Sequence, residues 1–121
     1  MTGGTRQFCP DHRLRRPEEF AAVRASRHRL RGDWFELRFC YSQQATSARL
    51  GLVIPKRLAR RAVVRNLVKR LAREAFRDTR MQLPTMDLVL RLARAVAPGP
   101  ETGLRQTWRQ EIDQLLARLP K

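Results

Sequence analysis

Residues 56–77 read KRLARRAVVRNLVKRLAREAFR. At about 100° per residue, Val64, Leu67, Val68, Leu71, Ala72 and Ala75 fall in one arc, the pattern of an amphipathic helix. The opposite arc takes Arg61, Arg65, Asn66, Lys69, Arg70, Arg73 and Arg77, with Phe76 expected among them near the helix end. The periodicity predicts a helix over 62–79. Nine of these 22 residues are basic (Lys56, Arg57, Arg60, Arg61, Arg65, Lys69, Arg70, Arg73, Arg77) and only Glu74 is acidic. Arg61, Arg65, Lys69 and Arg73 follow one another at i,i+4, where like charges destabilise a helix. Such a row is tolerable once phosphates or counterions neutralise it. Asn66 within it both donates and accepts hydrogen bonds, which suits bases and sugars as well as phosphate.

Outward from this helix the chain alternates element types. Upstream, Leu50-Gly51-Leu52-Val53-Ile54 is a short apolar run that reads as a buried strand, ended by Pro55. Downstream, DLVLRLA at 87–93 reads as another strand. Trp34 to Tyr41 alternate, with Phe35, Leu37 and Phe39 on one face, as in a half-buried strand. Residues 26–32, SRHRLRG, read as a basic loop, with room for a further strand within 27–33. Pro17-Glu18-Glu19 opens a short helix over about 16–25, since proline fits the first turn and acids suit the positive end of the helix dipole. Leu104, Trp108, Ile112, Leu115 and Leu119 recur at helical spacing. This mixed order predicts one α+β domain over 14–119, a single α–β sandwich with helices on a mixed sheet of about four strands. Residues 1–13 are expected to form a flexible polar arm.

The 121 residues carry 26 Lys and Arg against 11 Asp and Glu, a formal charge of +15. That charge stores self-repulsion which a polyanionic partner would relieve. Of the basic residues only Lys56, Lys69 and Lys121 are lysine. Arginine grips phosphate with a planar fork and stacks on bases; a biased genome composition produces the same excess. No apolar run approaches the ~20 residues of a membrane span. The opening MTGGTRQFCPDHRLRR has no apolar core, so no secretory signal is expected. Cys9 and Cys40 make neither a metal spacing nor a disulfide framework, which fits a reducing cytoplasm.

Motifs for catalysis are lacking. No glycine loop cradles a phosphate, no carboxylate cluster suggests a metal, and His12 and His28, the only histidines, lie in basic stretches where surface histidines near arginines are the expected reading. No catalytic residue, metal ligand or bound cofactor is therefore assigned to the chain. Aromatic residues such as Phe20, Trp34, Phe35 and Phe39 could stack on unpaired bases, while core packing is the expected role of each alone.

The run Arg65-Asn66-Leu67-Val68-Lys69-Arg70 followed by Arg73-Glu74-Ala75-Phe76-Arg77 resembles the signature of the protein subunit of bacterial ribonuclease P, Arg-Asn-Arg-x-Lys-Arg then x-x-Arg-Glu-x-Phe-Arg. Flanking pieces agree: Arg49-Leu50-Gly51-Leu52-Val53 with Pro55-Lys56-Arg57, Leu83-Pro84 with Asp87-Leu88-Val89, and Leu14 with Glu19-Phe20 and Val23. The chain departs from the pattern at Leu67, where the family usually has arginine, at Arg24, where relatives often carry an aromatic, and at Arg38, near another often aromatic position.

The resemblance implies a sandwich with a left-handed strand–helix–strand crossover, against the usual right-handed rule, with the signature helix inside it. It also implies that the partner is a catalytic RNA that, with Mg2+ held through the RNA, cuts the 5′ leader from precursor tRNA. Lys56, Arg57, Arg60, Arg61, Arg65, Asn66, Lys69, Arg70 and Arg73 would contact the catalytic RNA. Phe20, Arg24 and Arg38 would line a groove for the single-stranded leader. No membrane and no obligate protein partner enter this picture. Alternatives that the residues themselves leave open are a general RNA-binding or ribosomal-type protein without a processing role, a protein-only nuclease using His12 or His28, and a duplex DNA binder.

Overall fold

The computed structural model describes residues 13–41, 47–97 and 103–120. The expected flexible arm therefore falls outside the described residues except for Arg13, as do Cys9 and His12. Helix α1 spans Pro17–Ala25. Proline presets its first turn, and Glu19 Oε1 accepts the backbone N–H groups of Arg15 at 2.9 Å and Arg16 at 3.0 Å, satisfying donors that a helix start leaves open. Strand β1 (Arg29–Arg31) and strand β2 (Phe35–Tyr41) follow, then β3 (Arg49–Val53), helix α2 (Ala62–Thr79), a 3₁₀ turn over Arg80–Gln82, strand β4 (Met86–Leu92) and helix α3 (Leu104–Ala117). β1 realises the strand allowed within the basic loop.

The four strands form one open mixed sheet in the order β1-β2-β4-β3. β2 runs antiparallel to β1 and to β4, with Leu37 opposite Leu30 on one side and Leu90 on the other. β3 pairs parallel with β4, Leu50 opposite Leu88. A parallel pair of neighbours needs a crossover, and α2 supplies it.

The pleat divides the sheet's side chains cleanly. One face carries Phe35, Leu37, Leu50, Leu88, Leu90 and Leu92, all buried against α2 and α3. The other face carries Glu36, Arg38 and Cys40 of β2, Asp87, Val89 and Arg91 of β4, and Arg49, Gly51 and Val53 of β3, in register. Helix α1 crosses this second face, with Val23 fully buried beneath it.

Phe76 corrects the helical-wheel expectation. It is fully buried, together with Val64, Val68, Leu71, Ala72 and Ala75. The reason is that α2 packs against α3 as well as the sheet. Arg109 of α3 reaches Glu74 at 3.5 Å and Asp78 at 3.1 Å, so the second helix covers an arc that a single apolar stripe leaves to solvent. Leu67, at the edge of the stripe, is half-buried and packs on the core. Glu111 of α3 ties down the β1–β2 turn: its carboxylate accepts the N–H groups of Asp33 at 3.1 Å, Trp34 at 2.8 Å and Phe35 at 2.7 Å.

Candidate nucleic-acid interface

A groove of about 300 Å³ runs between α1 and the sheet, lined by Phe20, Arg24, Glu36, Arg38, Val53, Val89 and Arg91. Phe20, Arg24 and Arg38 are thus brought together. Phe20 and Arg24 are one helical turn apart on α1, and Arg38 faces them from β2. Arg91, Val89 and Val53 complete the walls. The alternation in DLVLRLA could have found Arg91, since it shares a face with Val89 and Asp87.

The position of α1 over the sheet is held at both ends by arginine. At its first turn, Arg49 Nη1 donates to Glu19 Oε2 at 2.8 Å, while Nε and Nη2 grip both oxygens of Asp87 at 2.8 Å each. At its last turn, Arg38 Nη1 donates to the carbonyl oxygen of Arg24 at 2.9 Å, and Arg38 Nε donates to Glu36 Oε1 at 3.0 Å. Arg38 is therefore a fixed wall of the groove, and Glu36, shared with Arg29 at 3.4 Å, is already neutralised. Arg24 and Arg91 stand exposed beside it. The groove offers a cationic edge, an aromatic ring and an aliphatic floor, a combination that takes single-stranded nucleic acid by stacking and charge.

These contacts shift the groups that make them. The N–H groups of Arg16, then those of Arg15, and then the Arg49 charge hold the Glu19 carboxyl below its ordinary value. The hydrogen bonds to Asp87 push Arg49 up, and the nearby charges of Asp87 and Glu19 add to this. Burial pushes the Cys40 thiol up, helped by the Asp87 charge, so it stays protonated near neutrality.

Gly51 sets the depth at which Phe20 sits. A Cβ at Gly51 would come within 2.6 Å of Phe20 Cε1 and 2.7 Å of Cζ, so the ring lies directly on the backbone of β3. On its far side Phe20 borders a smaller hollow of about 130 Å³ that also holds Arg13 and Arg73. Burial, and then the Arg13 charge, lower the pKa of Arg73.

The remaining basic candidates lie on α2 and the loop before it. Lys56, Arg57, Arg60, Arg61, Asn66 and Arg70 are exposed, and Arg65, Lys69 and Arg73 are half-buried. Arg65 is not simply a surface cation. Its Nη1 donates to the carbonyl oxygens of Ala59 and Arg60, each at 2.8 Å, and so shapes the loop. Among the described residues no helix is long and apolar enough to cross a membrane, and no group of three or more His, Cys, Asp or Glu side chains could hold a metal ion. His28 is exposed and stacks on Phe39, centroids 5.0 Å apart.

The family profile described as Ribonuclease P matches residues 8–119. The chain is similar to the ribonuclease P protein component of an Azoarcus species, 44% identical over 119 residues, covering 98% of this chain and 95% of the relative. It is 46% identical over 114 residues to that of Bordetella petrii, covering 91% and 93%. Among solved structures, the RNase P protein from Thermotoga maritima in complex with 1-(4-fluorophenyl)-2-thiourea superposes with a TM-score of 0.75 at 26% identity, covering 88% of this chain and 99% of the other.

Proposed function

The chain belongs to the ribonuclease P protein family, the protein component of the enzyme that matures the 5′ end of tRNA, and from that premise we propose that it binds the catalytic RNA through α2 and its preceding loop and the precursor's single-stranded leader in the α1 groove. The observation that carries this reading is the pair of cationic surfaces set on different sides of one sheet. The α2 face, with Lys56, Arg57, Arg60, Arg61, Arg65, Asn66, Lys69, Arg70 and Arg73, suits a folded RNA whose phosphates it neutralises. The groove, with Phe20, Arg24 and Arg38, suits an unpaired strand.

The division of labour follows from the side chains. Phosphate contacts position an RNA without reading its sequence, so α2 docks. Phe20 stacks on any base, and Arg24 extends that contact by stacking or by pairing with phosphate. Holding the leader raises affinity for precursor over mature tRNA, because only the precursor has a leader. The bond-breaking step belongs to the RNA. The chain offers no metal-ligating cluster among its described residues, so we assign the Mg2+ of the holoenzyme to the RNA and the chain to the bacterial cytoplasm, where that RNA is.

The test is multiple-turnover cleavage of a precursor tRNA at low Mg2+, with and without a bacterial ribonuclease P RNA. Stimulation only when the RNA is present supports the reading. Cleavage by the chain alone overturns it, and RNA binding without stimulation makes the chain a general RNA-binding protein. Phe20→Ala and Arg24→Ala are expected to lower affinity for precursor but not for mature tRNA.

A further inference from the structure

Arg91 faces the groove under α1 from β4, an interior strand of the sheet. Glu36 of β2 lies across from it on one side and Val53 of β3 on the other. Glu36 is the carboxylate placed to neutralise it, yet that carboxylate is already taken. Its Oε1 accepts from Arg38 Nε at 3.0 Å, and its Oε2 lies 3.4 Å from Arg29 Nη1. No ion pair joins Glu36 to Arg91. Arg24, on the α1 wall, is in the same position. Its carbonyl oxygen is bonded by Arg38, while its guanidinium makes no hydrogen bond or ion pair among the described residues. Both Arg24 and Arg91 are exposed.

The three arginines of the groove are therefore not equivalent. Arg38 commits Nε and Nη1 to the protein, fixing the wall and quenching the one acid there. Arg24 and Arg91 bring two uncommitted cations into the same groove from different elements. Like charges so placed repel, and an anion between them relieves the repulsion. The rest of the lining, Phe20, Val53 and Val89, supplies no counter-charge. A guanidinium fork matches the oxygens of a phosphate, and Phe20 offers a stacking face beside it. We infer that Arg91 anchors the precursor's leader, gripping one backbone phosphate together with Arg24 while Phe20 stacks on an adjoining base. The inference rests on the reading that the leader lies in this groove. It adds an anchoring residue that holds the strand by its backbone, and so without regard to leader sequence.

The test reconstitutes the holoenzyme from bacterial ribonuclease P RNA and the full chain, unaltered or carrying Arg91→Gln or Arg91→Lys. Equilibrium binding is measured for mature tRNA, for precursor, and for precursors in which one leader linkage at a time is a neutral methylphosphonate. Arg91→Gln should bind precursor about tenfold more weakly, the loss of one charge-assisted contact. Its log–log salt slope should fall by about 0.7, and leaders of unrelated sequence should suffer alike. At one linkage, the methylphosphonate should weaken the unaltered chain by the same factor and Arg91→Gln hardly at all, as for two groups in contact. Arg91→Lys keeps the charge and should keep the slope, which separates lost charge from a disturbed sheet. Unchanged precursor affinity in Arg91→Gln overturns the inference. So does a loss shared equally by mature tRNA, which places Arg91 on the tRNA body or the catalytic RNA, and so does additivity at every leader linkage. An unaltered holoenzyme that shows no preference for precursor over mature tRNA overturns the leader reading itself, and that result needs no variant.

Discussion

Replacing Arg49 by methionine removes the cation that joins α1 to the sheet. Three bonds of 2.8 Å are lost, two to Asp87 and one to Glu19. Asp87 is only 6% exposed, so its carboxylate is left in a nearly dry site. Breaking a buried ion pair from one side costs about 3–5 kcal/mol. Arg49 and Glu19 are each 21% exposed, and water reaches that contact, which therefore adds little. The low end applies, about 3 kcal/mol. At about 4 °C per kcal/mol for a domain of this size, the melting temperature should fall by roughly 12 °C at pH 7, measured by circular dichroism. The double variant Arg49→Met/Asp87→Leu replaces the pair with apolar side chains, which is often close to neutral, and should recover most of the loss. A fall under 4 °C, or a double variant no better than the single, would refute the reasoning. In binding assays Arg49→Met should also weaken the preference for precursor over mature tRNA while leaving affinity for the catalytic RNA unchanged, since α2 does not depend on this contact.

Gly51→Ala should cost about 1–2 kcal/mol by crowding and swing the Phe20 ring out of the groove; retained precursor preference would show that Phe20 is not needed there. Glu111→Gln keeps one acceptor oxygen but places an amide against the turn's donors, and should cost about 2 kcal/mol in denaturant unfolding. Arg70→Ala should flatten the salt dependence of catalytic-RNA binding by about 0.7–0.9 in log–log slope for one lost phosphate contact with the melting temperature unchanged. Arg65→Ala should lower both, because Arg65 also braces the loop. Glu19 titrates below its ordinary 4.5 in the folded chain, so its contribution is fully present above that pH and is lost as pH falls through the lower folded value; melting followed from pH 7 to 3 should show a shallower acid limb in Glu19→Gln, and an unaltered limb would count against the contact.

Local periodicity made most of the fold readable. The α2 stripe of Val64, Val68, Leu71, Ala72 and Ala75 repeats at helical spacing, and Phe35, Leu37 and Phe39 repeat at strand spacing, so burial on one side leaves its mark within a few residues. Phe76 escapes a helical wheel because a second neighbour, α3, buries an extra arc, and a wheel encodes only one. The residues Phe20, Arg24 and Arg38 were legible as candidates through their places in the family pattern, although Arg24 and Arg38 depart from it in residue type, and the fold brings all three to one groove. The groove's supports were not legible. Glu19 reads locally as a helix-start acid and Asp87 as a strand start, while Arg49 joins them across 30 and 38 positions of sequence. Glu111 reads as one more polar residue on α3, yet it serves backbone donors 76 to 78 positions away. Polar contacts of that span follow no period, so only the folded chain reveals them. The same holds for Arg65, whose carbonyl partners lie within six residues but depend on a loop conformation that composition does not specify.

The two rims of the sheet have a consequence for how the chain behaves when crowded. An unpaired strand rim is a template on which another chain can add and aggregate. At the β3 rim the chain's own segment occupies that template: Arg13 bridges to Leu50 in parallel, and Leu14 N–H donates to the Leu50 carbonyl oxygen at 3.0 Å. At the β1 rim the strand is three residues long and reads Arg-Leu-Arg, so a second copy approaching edge-on meets like charge over a very short length. One rim is shielded by covering and the other by repulsion. Concentrated protein should therefore resist growth into fibrils even when no nucleic acid is present to neutralise it.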